Sequence, residues 1–235
     1  MSGSNKAIYA LLSGGVDSSV ALHYMLKEHP PTYAVPIFVD RRTPGYSTQR
    51  AYEKELEASK AVLGQFKSTE PMFELQLPMK WYGLAKEKMR DILPHGRNLL
   101  LLSGAASFAA IDMRLRNFSG VGMITGGFTK DDGADCSTEF LNYFREAVAS
   151  GLNPDILPER RLTLEGPFSE WTKSEIVQYA IKEGLDRLIL ATWSCYQDLP
   201  SGLHCGECPG CIKRRGAFKK VGARDVAYDN DPKTY

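Results

Sequence analysis

At 235 residues, 43% hydrophobic and 24% charged, the chain can bury a sizeable core and falls where one α/β domain, or one domain with an appendage, is expected. A formal net charge of +1 supplies no global basic field to draw it onto nucleic acid, so bulk charge names no partner. The opening MSGSNKAIYALL has too short an apolar stretch for a signal peptide and no Arg-rich transit character, and no later run approaches a membrane span. A cytoplasmic protein without membrane contact is expected.

Residues 1–4 read as a flexible start. AIYALL (Ala7–Leu12) is the first predicted strand, and after a Ser/Gly turn the pattern predicts a helix over Asp17–Glu28, with Val20, Ala21, Tyr24 and Met25 on its apolar face. Next come a strand YAVPIFV (Tyr33–Val39), a helix over Gln49–Leu63, a strand FELQL (Phe73–Leu77) and a helix over Asn98–Arg116. GMIT (Gly122–Thr125) is the fourth strand, Thr138–Ser150 a helix, RLTLEG (Arg161–Gly166) a weaker fifth strand and Lys173–Glu183 a helix. This alternation predicts an open, mostly parallel five-stranded sheet with right-handed crossovers and helices on both faces. Ligands of such sheets bind beyond the carboxyl ends of the strands, so Ser13–Ser19 and Gly126-Gly127 should border one crevice. The division expected is an α/β domain over 5–190, a cysteine-rich segment with a C-terminal helix over 191–221, and a loose tail, GARDVAYDNDPKTY, over 222–235.

The turn in LLSGGVDSSVAL suits an anion. Gly14 and Gly15 allow close approach of backbone N–H groups, the following helix adds its positive end, and Ser13, Ser18 and Ser19 offer hydroxyls. There is no Walker A lysine. A plain strand-to-helix turn capped by Asp17 or Ser18 explains the same residues equally well by physics alone.

The other end of the chain is more selective. Cys195, Cys205, Cys208 and Cys211, in WSCYQDLPSGLHCGECPGCIKRR, are spaced C-x9-C-x2-C-x2-C. Two Cys-x-x-Cys steps put three sulfurs on one knuckle, and the longer loop lets Cys195 complete a tetrahedron. A structural metal is favoured over a redox dithiol or disulfide framework, and zinc over an iron–sulfur cluster. His204 would be a fifth ligand and reads as a surface histidine. Lys213, Arg214 and Arg215 either offset the thiolate charge or, the favoured reading, form a solvated helix face.

SGGVDSS resembles the Ser-Gly-Gly-x-Asp-Ser loop of the PP-loop ATP pyrophosphatases. That resemblance implies an adenine nucleotide alpha hydrolase-like fold and a loop, here Ser13, Gly14, Gly15, Asp17 and Ser18, that binds the pyrophosphate end of ATP. An aspartate so close to polyphosphate suggests Mg²⁺ at Asp17. Taken with the cysteine spacing, the segments HGRNLLLLSGAASFAA, WTKSEIVQYAIKEGL, TWSCY and ELEASKAV resemble the 7-cyano-7-deazaguanine synthase (QueC) family from about residue 7 to about residue 221. The resemblance implies conversion of 7-carboxy-7-deazaguanine and ammonia to the nitrile in two ATP-dependent activations, through an adenylated acid and an amide. Lys173 is implied as a phosphate contact, with an exposed first-turn helix residue as the plain alternative. Arg97 either pairs with a carboxylate or phosphate or simply begins a helix. Asp135 in GADCSTEF is implied to face the guanine-like base; Cys136 beside it reads at least as well as a small buried hydrophobe. A homodimer is the implied assembly.

Two departures stand out. Ser137 occupies a position where the family pattern Tyr-Pro-Asp-Cys-Arg-Pro-Glu-Phe has arginine, and VDRRTPGYSTQR replaces a short Asp-Tyr-Gly-Gln-Arg, leaving Asp40, Gln49 and Arg50 as uncertain equivalents. A QueC-like paralogue that attaches the deazaguanine to a protein N-terminus in an antiviral system, and so takes a protein substrate, is the closest alternative. A tRNA-modifying PP-loop enzyme fits less well, because the net charge is only +1 and the cysteines have four-ligand spacing. A zinc-knuckle binding module or a purely structural partner would not need the intact Ser/Gly loop.

Overall fold

A computed structural model describes residues 5–40, 49–77, 96–152, 160–197 and 199–231. Five strands form one all-parallel sheet: β1 (Lys6–Leu11), β2 (Tyr33–Asp40), β3 (Phe73–Gln76), β4 (Gly120–Thr125) and β5 (Arg160–Glu165), in the order β3-β2-β1-β4-β5. The strand period of two sorts β1 between two cores, with Ala7 and Tyr9 on one face and Ile8 and Ala10 on the other. Both sets are buried, as expected for a central parallel strand.

On the Tyr9 face lie α3 (Arg97–Leu115) and α4 (Thr138–Gly151); on the Ile8 face lie α1 (Val16–Glu28), α2 (Gln49–Leu63), α5 (Lys173–Lys182), the short α6 (Asp186–Leu190) and α7 (Pro209–Val221). Pro36, awkward inside a sheet, falls where β2 is paired with β1 alone, because the register with β3 begins at Ile37. At 19 residues and hydropathy 1.2, α3 is long and apolar enough to cross a membrane, contrary to the sequence expectation. Here it packs as a core helix, burying Leu102, Ala105, Ala106, Ala109 and Met113 against the sheet. Truncating the fully buried Leu102 to alanine would cost about 2–5 kcal/mol.

Element boundaries differ from the expectations by a residue or two at most ends. Neither Asp17 nor Ser18 caps α1: the N-cap is Gly15, in extended conformation with no side-chain cap bond. Within the expected loose tail, residues 222–231 are described and are held by specific contacts. Tyr228 is buried, pairs as a bridge with His204, and donates to Asp225, which is ion-paired to Arg214.

Candidate functional site

Ala10 sits opposite Pro36 on one side and Thr125 on the other, so the chain leaving β1 enters the space between the ends of β2 and β4. There the Ser/Gly loop organises itself. Ser18 Oγ accepts from the Ser13 N–H at 3.3 Å and lies 3.2 Å from Ser13 Oγ; Ser19 Oγ donates to the Gly15 carbonyl at 2.7 Å. Gly14 has φ +73, and a side chain there would meet the Glu55 carbonyl at 2.7 Å, so both backbone conformation and space demand glycine. The first-turn N–H groups of Val16, Asp17 and Ser18 have no partner among the described residues, which leaves a cluster of donors at a helix N-terminus. Gly127, after β4, abuts this turn: a Cβ there would lie 2.6 Å from Ser18 N.

A cleft of about 210 Å³ opens here, and Ser13, Gly15, Asp17, Ser18, Lys173 and Arg97 all line it. Lys173 is presented by α5, whose start is fixed by a capping box: Thr172 Oγ1 accepts from Glu175 N and Glu175 Oε2 accepts from Thr172 N at 2.7 Å. Its ammonium pairs with Asp17 Oδ2, while Asp17 Oδ1 is buried with no hydrogen-bond partner. A carboxylate with one oxygen neutralised and the other unfilled is suited to a further cation.

Arg97 begins α3, and Asn98 beside it is tied down. Its N–H donates to Asp135 Oδ2 at 3.1 Å, and its Nδ2 donates to the Asp135 carbonyl at 3.2 Å and to Cys136 Sγ at 3.0 Å. Asp135 does not line the cleft; one of its carboxylate oxygens is committed to the α3 N-terminus. Burial, helped by the Asp132 and Asp135 carboxylates, pushes the Cys136 thiol up to about 12, so it stays a neutral, buried hydrophobe. Ser137 caps α4 by accepting from Phe140 N at 3.2 Å. Asp40 is buried at the end of β2, and Arg50 donates to the Pro200 carbonyl at 3.1 Å; residues 41–48 between them lie outside the described residues.

The four cysteines converge. Their sulfurs all lie within 4.8 Å of one another, and Cys205 and Cys211 are 3.8 Å apart. A zinc tetrathiolate with bonds of about 2.3 Å has sulfur–sulfur edges of about 3.8 Å. Backbone N–H groups of Gln197, Cys205, Glu207, Cys208, Tyr196 and Cys211 point at these sulfurs at 3.2–3.5 Å, the donor shell that thiolates need. Burial opposes ionisation of Cys205, but the N–H donors of Glu207 and Cys208 outweigh it and bring this thiol down to about 7. The set can hold a metal.

The knuckle is coupled to the cleft by the segment before Cys195. Trp193 N donates to the Gly14 carbonyl at 2.8 Å, and Trp193, Ser194 and Tyr196 line the cleft. His204 is buried, not on the surface: its Nε2 accepts from Ser194 N at 3.0 Å and its ring lies 4.2 Å from that of Trp193. Burial, reinforced by Arg214, lowers its pKa to about 4 and keeps it a neutral acceptor.

Comparison with known proteins fits this geometry. The profile described as "Queuosine biosynthesis protein QueC" matches residues 6–222. The chain belongs to this family. Among the QueC relatives, the 7-cyano-7-deazaguanine synthase of Desulfotalea psychrophila is 30% identical, over 92% of this chain and 95% of that protein. Those of Methanoculleus marisnigri and Nitratiruptor sp. are 29% and 28% identical, over 94% and 92% of this chain and 97% and 94% of theirs. A solved structure of the U34-tRNA thiolase NcsA from Methanococcus maripaludis with its [4Fe-4S] cluster covers 93% of this chain and 72% of that one at 16% identity and a TM-score of 0.41, too loose a likeness to argue from.

In this QueC-family chain Ser13, Gly15, Asp17, Ser18, Lys173 and Arg97 meet in one cleft, while Gly14, Asp135 and the four clustered cysteines lie outside its lining. Two participants were hidden in the KRR run. Arg214, expected on a solvated face, is fully buried: Nε donates to Asp225 Oδ1 at 2.7 Å, one terminal nitrogen to Thr192 Oγ1 at 2.7 Å and the other to the Ile189 carbonyl at 3.0 Å. Lys213 lines the cleft. Burial of Arg214 has no signal in the sequence, since a basic run at a helix start reads as solvated.

Proposed function

We propose that the protein converts 7-carboxy-7-deazaguanine and ammonia to 7-cyano-7-deazaguanine at the expense of ATP. The observation that carries this reading is the meeting, in a single cleft of a QueC-family chain, of a self-organised N–H cradle with the Lys173–Asp17 pair. Bound ATP supplies the adenylyl group that turns first the acid and then the amide oxygen into a leaving group, with loss of pyrophosphate.

The chain's own residues bind, neutralise and orient. Ser13, Gly14, Gly15, Asp17 and Ser18 shape the cradle, in which the N–H groups of Val16, Asp17 and Ser18 face the pyrophosphate end. Asp17 and Lys173 already sit together; Lys173 stabilises charge on the phosphates while Asp17 Oδ1, unfilled, is the ligand offered to Mg²⁺. Arg97, with no carboxylate partner among the described residues, can grip an oxyanion through its planar fork. Asp135 keeps one carboxylate oxygen beyond its bond to Asn98 as the acceptor for a guanine-like donor. Cys195, Cys205, Cys208 and Cys211 hold Zn²⁺ in a closed, structural set whose work is to fix the Trp193–Tyr196 wall.

The test is ATP–pyrophosphate exchange with purified protein, Mg²⁺ and the acid, without ammonium. Acid-dependent exchange supports the reading, and its absence overturns it. Exchange followed by a covalent adduct on a protein N-terminus, with no free nitrile once ammonium is added, would replace it with the protein-modifying alternative.

A further inference from the structure

We propose that Lys213 is the specificity-determining cation for the carboxylate of the acid substrate, an inference that rests on the reading above.

The first turn of α7 leads from the metal knuckle directly into the cleft. Cys211 is fully buried among the sulfurs, whereas Lys213, two residues on, lines the cleft with its side chain 46% exposed. Its ammonium donates to the Asp131 carbonyl at 3.0 Å and to Asp132 Oδ1 at 3.0 Å. The same turn holds the other cleft lysine, since Asp131 Oδ2 accepts the Lys173 N–H at 2.8 Å. Residues 131–132 therefore touch both cleft lysines: they accept the backbone N–H of Lys173, whose ammonium is joined to Asp17 of the Ser/Gly loop, and they hold the ammonium of Lys213.

The chemistry requires two anions side by side, a polyphosphate and a carboxylate. The loop N–H groups and Lys173 answer the first. A second cation away from the loop is needed to keep the acid from being expelled by the phosphates. Lys213 fits that need: an ammonium has three donors, and the two contacts to Asp131 and Asp132 leave one over. Arg97 lines the same cleft and adds to the positive field there. A lysine is also chemically apt, because a point charge can hold one carboxylate oxygen and leave the other to attack phosphorus, whereas a bidentate fork engages both.

The experiment measures 7-carboxy-7-deazaguanine binding by calorimetry, steady-state KM for acid and for ATP, and metal content, for wild type, Lys213→Met and Lys213→Arg. Expected is an acid Kd and KM raised about 10- to 100-fold in Lys213→Met, with the ATP KM and metal content unchanged and with binding largely restored in Lys213→Arg. Acid binding by Lys213→Met within about 3-fold of wild type, or an ATP KM that rises in parallel, overturns the proposal. Wild-type protein that binds the acid without turning it over contradicts the proposed reaction while the Lys213 comparison still stands. Wild-type protein that does not bind it overturns both.

Discussion

Replacing Arg214 by methionine takes away a guanidinium that is fully buried and makes contacts of 2.7 Å to Asp225, 2.7 Å to Thr192 Oγ1 and 3.0 Å to the Ile189 carbonyl. Removing one member of a buried ion pair costs about 3–5 kcal/mol, because the other charge stays behind without its partner. Here part of that penalty is relieved. Asp225 keeps the Val226 N–H at 2.8 Å and the Tyr228 hydroxyl at 2.5 Å, and the Ile189 carbonyl keeps the Thr192 hydroxyl at 2.6 Å. The loss should therefore lie at the lower end, about 3 kcal/mol, equivalent to a Tm lower by about 6–12 °C for a chain of this size. Urea unfolding followed by tryptophan fluorescence measures it, with Asp225→Asn and the double variant completing a cycle. The double variant should be less unstable than the sum of the singles by about 1–3 kcal/mol. A loss under about 1 kcal/mol for Arg214→Met, or additive singles, would refute the network as described.

Asp17→Asn should fold normally yet lower turnover by about 100-fold or more, read as kcat beside an unchanged circular dichroism spectrum, because it removes the negative charge that pairs with Lys173 and that a cation would need, and turns one of the two oxygens into a donor. In Gly127→Ala the new methyl would sit 2.6 Å from Ser18 N, so the α1 turn must shift; a stability loss of about 1–3 kcal/mol and a raised ATP KM are expected. Gly216→Ala serves as its contrast: nothing lies within 4 Å of a Cβ at that position of α7, and helix propensity should add about 0.5–1 kcal/mol in the same unfolding assay. Cys208→Ser should lose bound metal, measured by mass spectrometry of the intact protein, and loosen the Tyr196 N–H now 3.4 Å from that sulfur.

The sheet was legible because its central strands carry apolar runs that no helix pattern explains. AIYALL and YAVPIFV are buried on both faces, and the glycines at 14 and 15 mark the turn after the first. The five-residue α6 gives no periodic signal, being too short to show one. The C-terminal segment was misread for a different reason. Its composition is polar, yet it is held by bonds whose partners lie elsewhere in sequence: Asp225 to Arg214, Asp231 to Arg215, and the bridge from Tyr228 to His204. The KRR run shows the same limit. Successive helical residues point about 100° apart, so Lys213 reaches the cleft, Arg214 the interior and Arg215 the Tyr228 ring, 4.0 Å away. In the site, the loop and the cysteines could be found from spacing, because each works as a local motif. The positions of Lys173 beside Asp17 and of Lys213 beside Asp132 depend on tertiary contacts over 156 and 81 residues.

The most direct test of the central claim is a single mass-spectrometric time course with metal-replete protein, ATP, Mg²⁺, 7-carboxy-7-deazaguanine and ammonium, following AMP, amide and nitrile together. The account predicts that amide rises and falls as nitrile accumulates beyond the amount of enzyme, with one AMP formed at each activation. AMP and amide without nitrile, or no product in any channel, would contradict it.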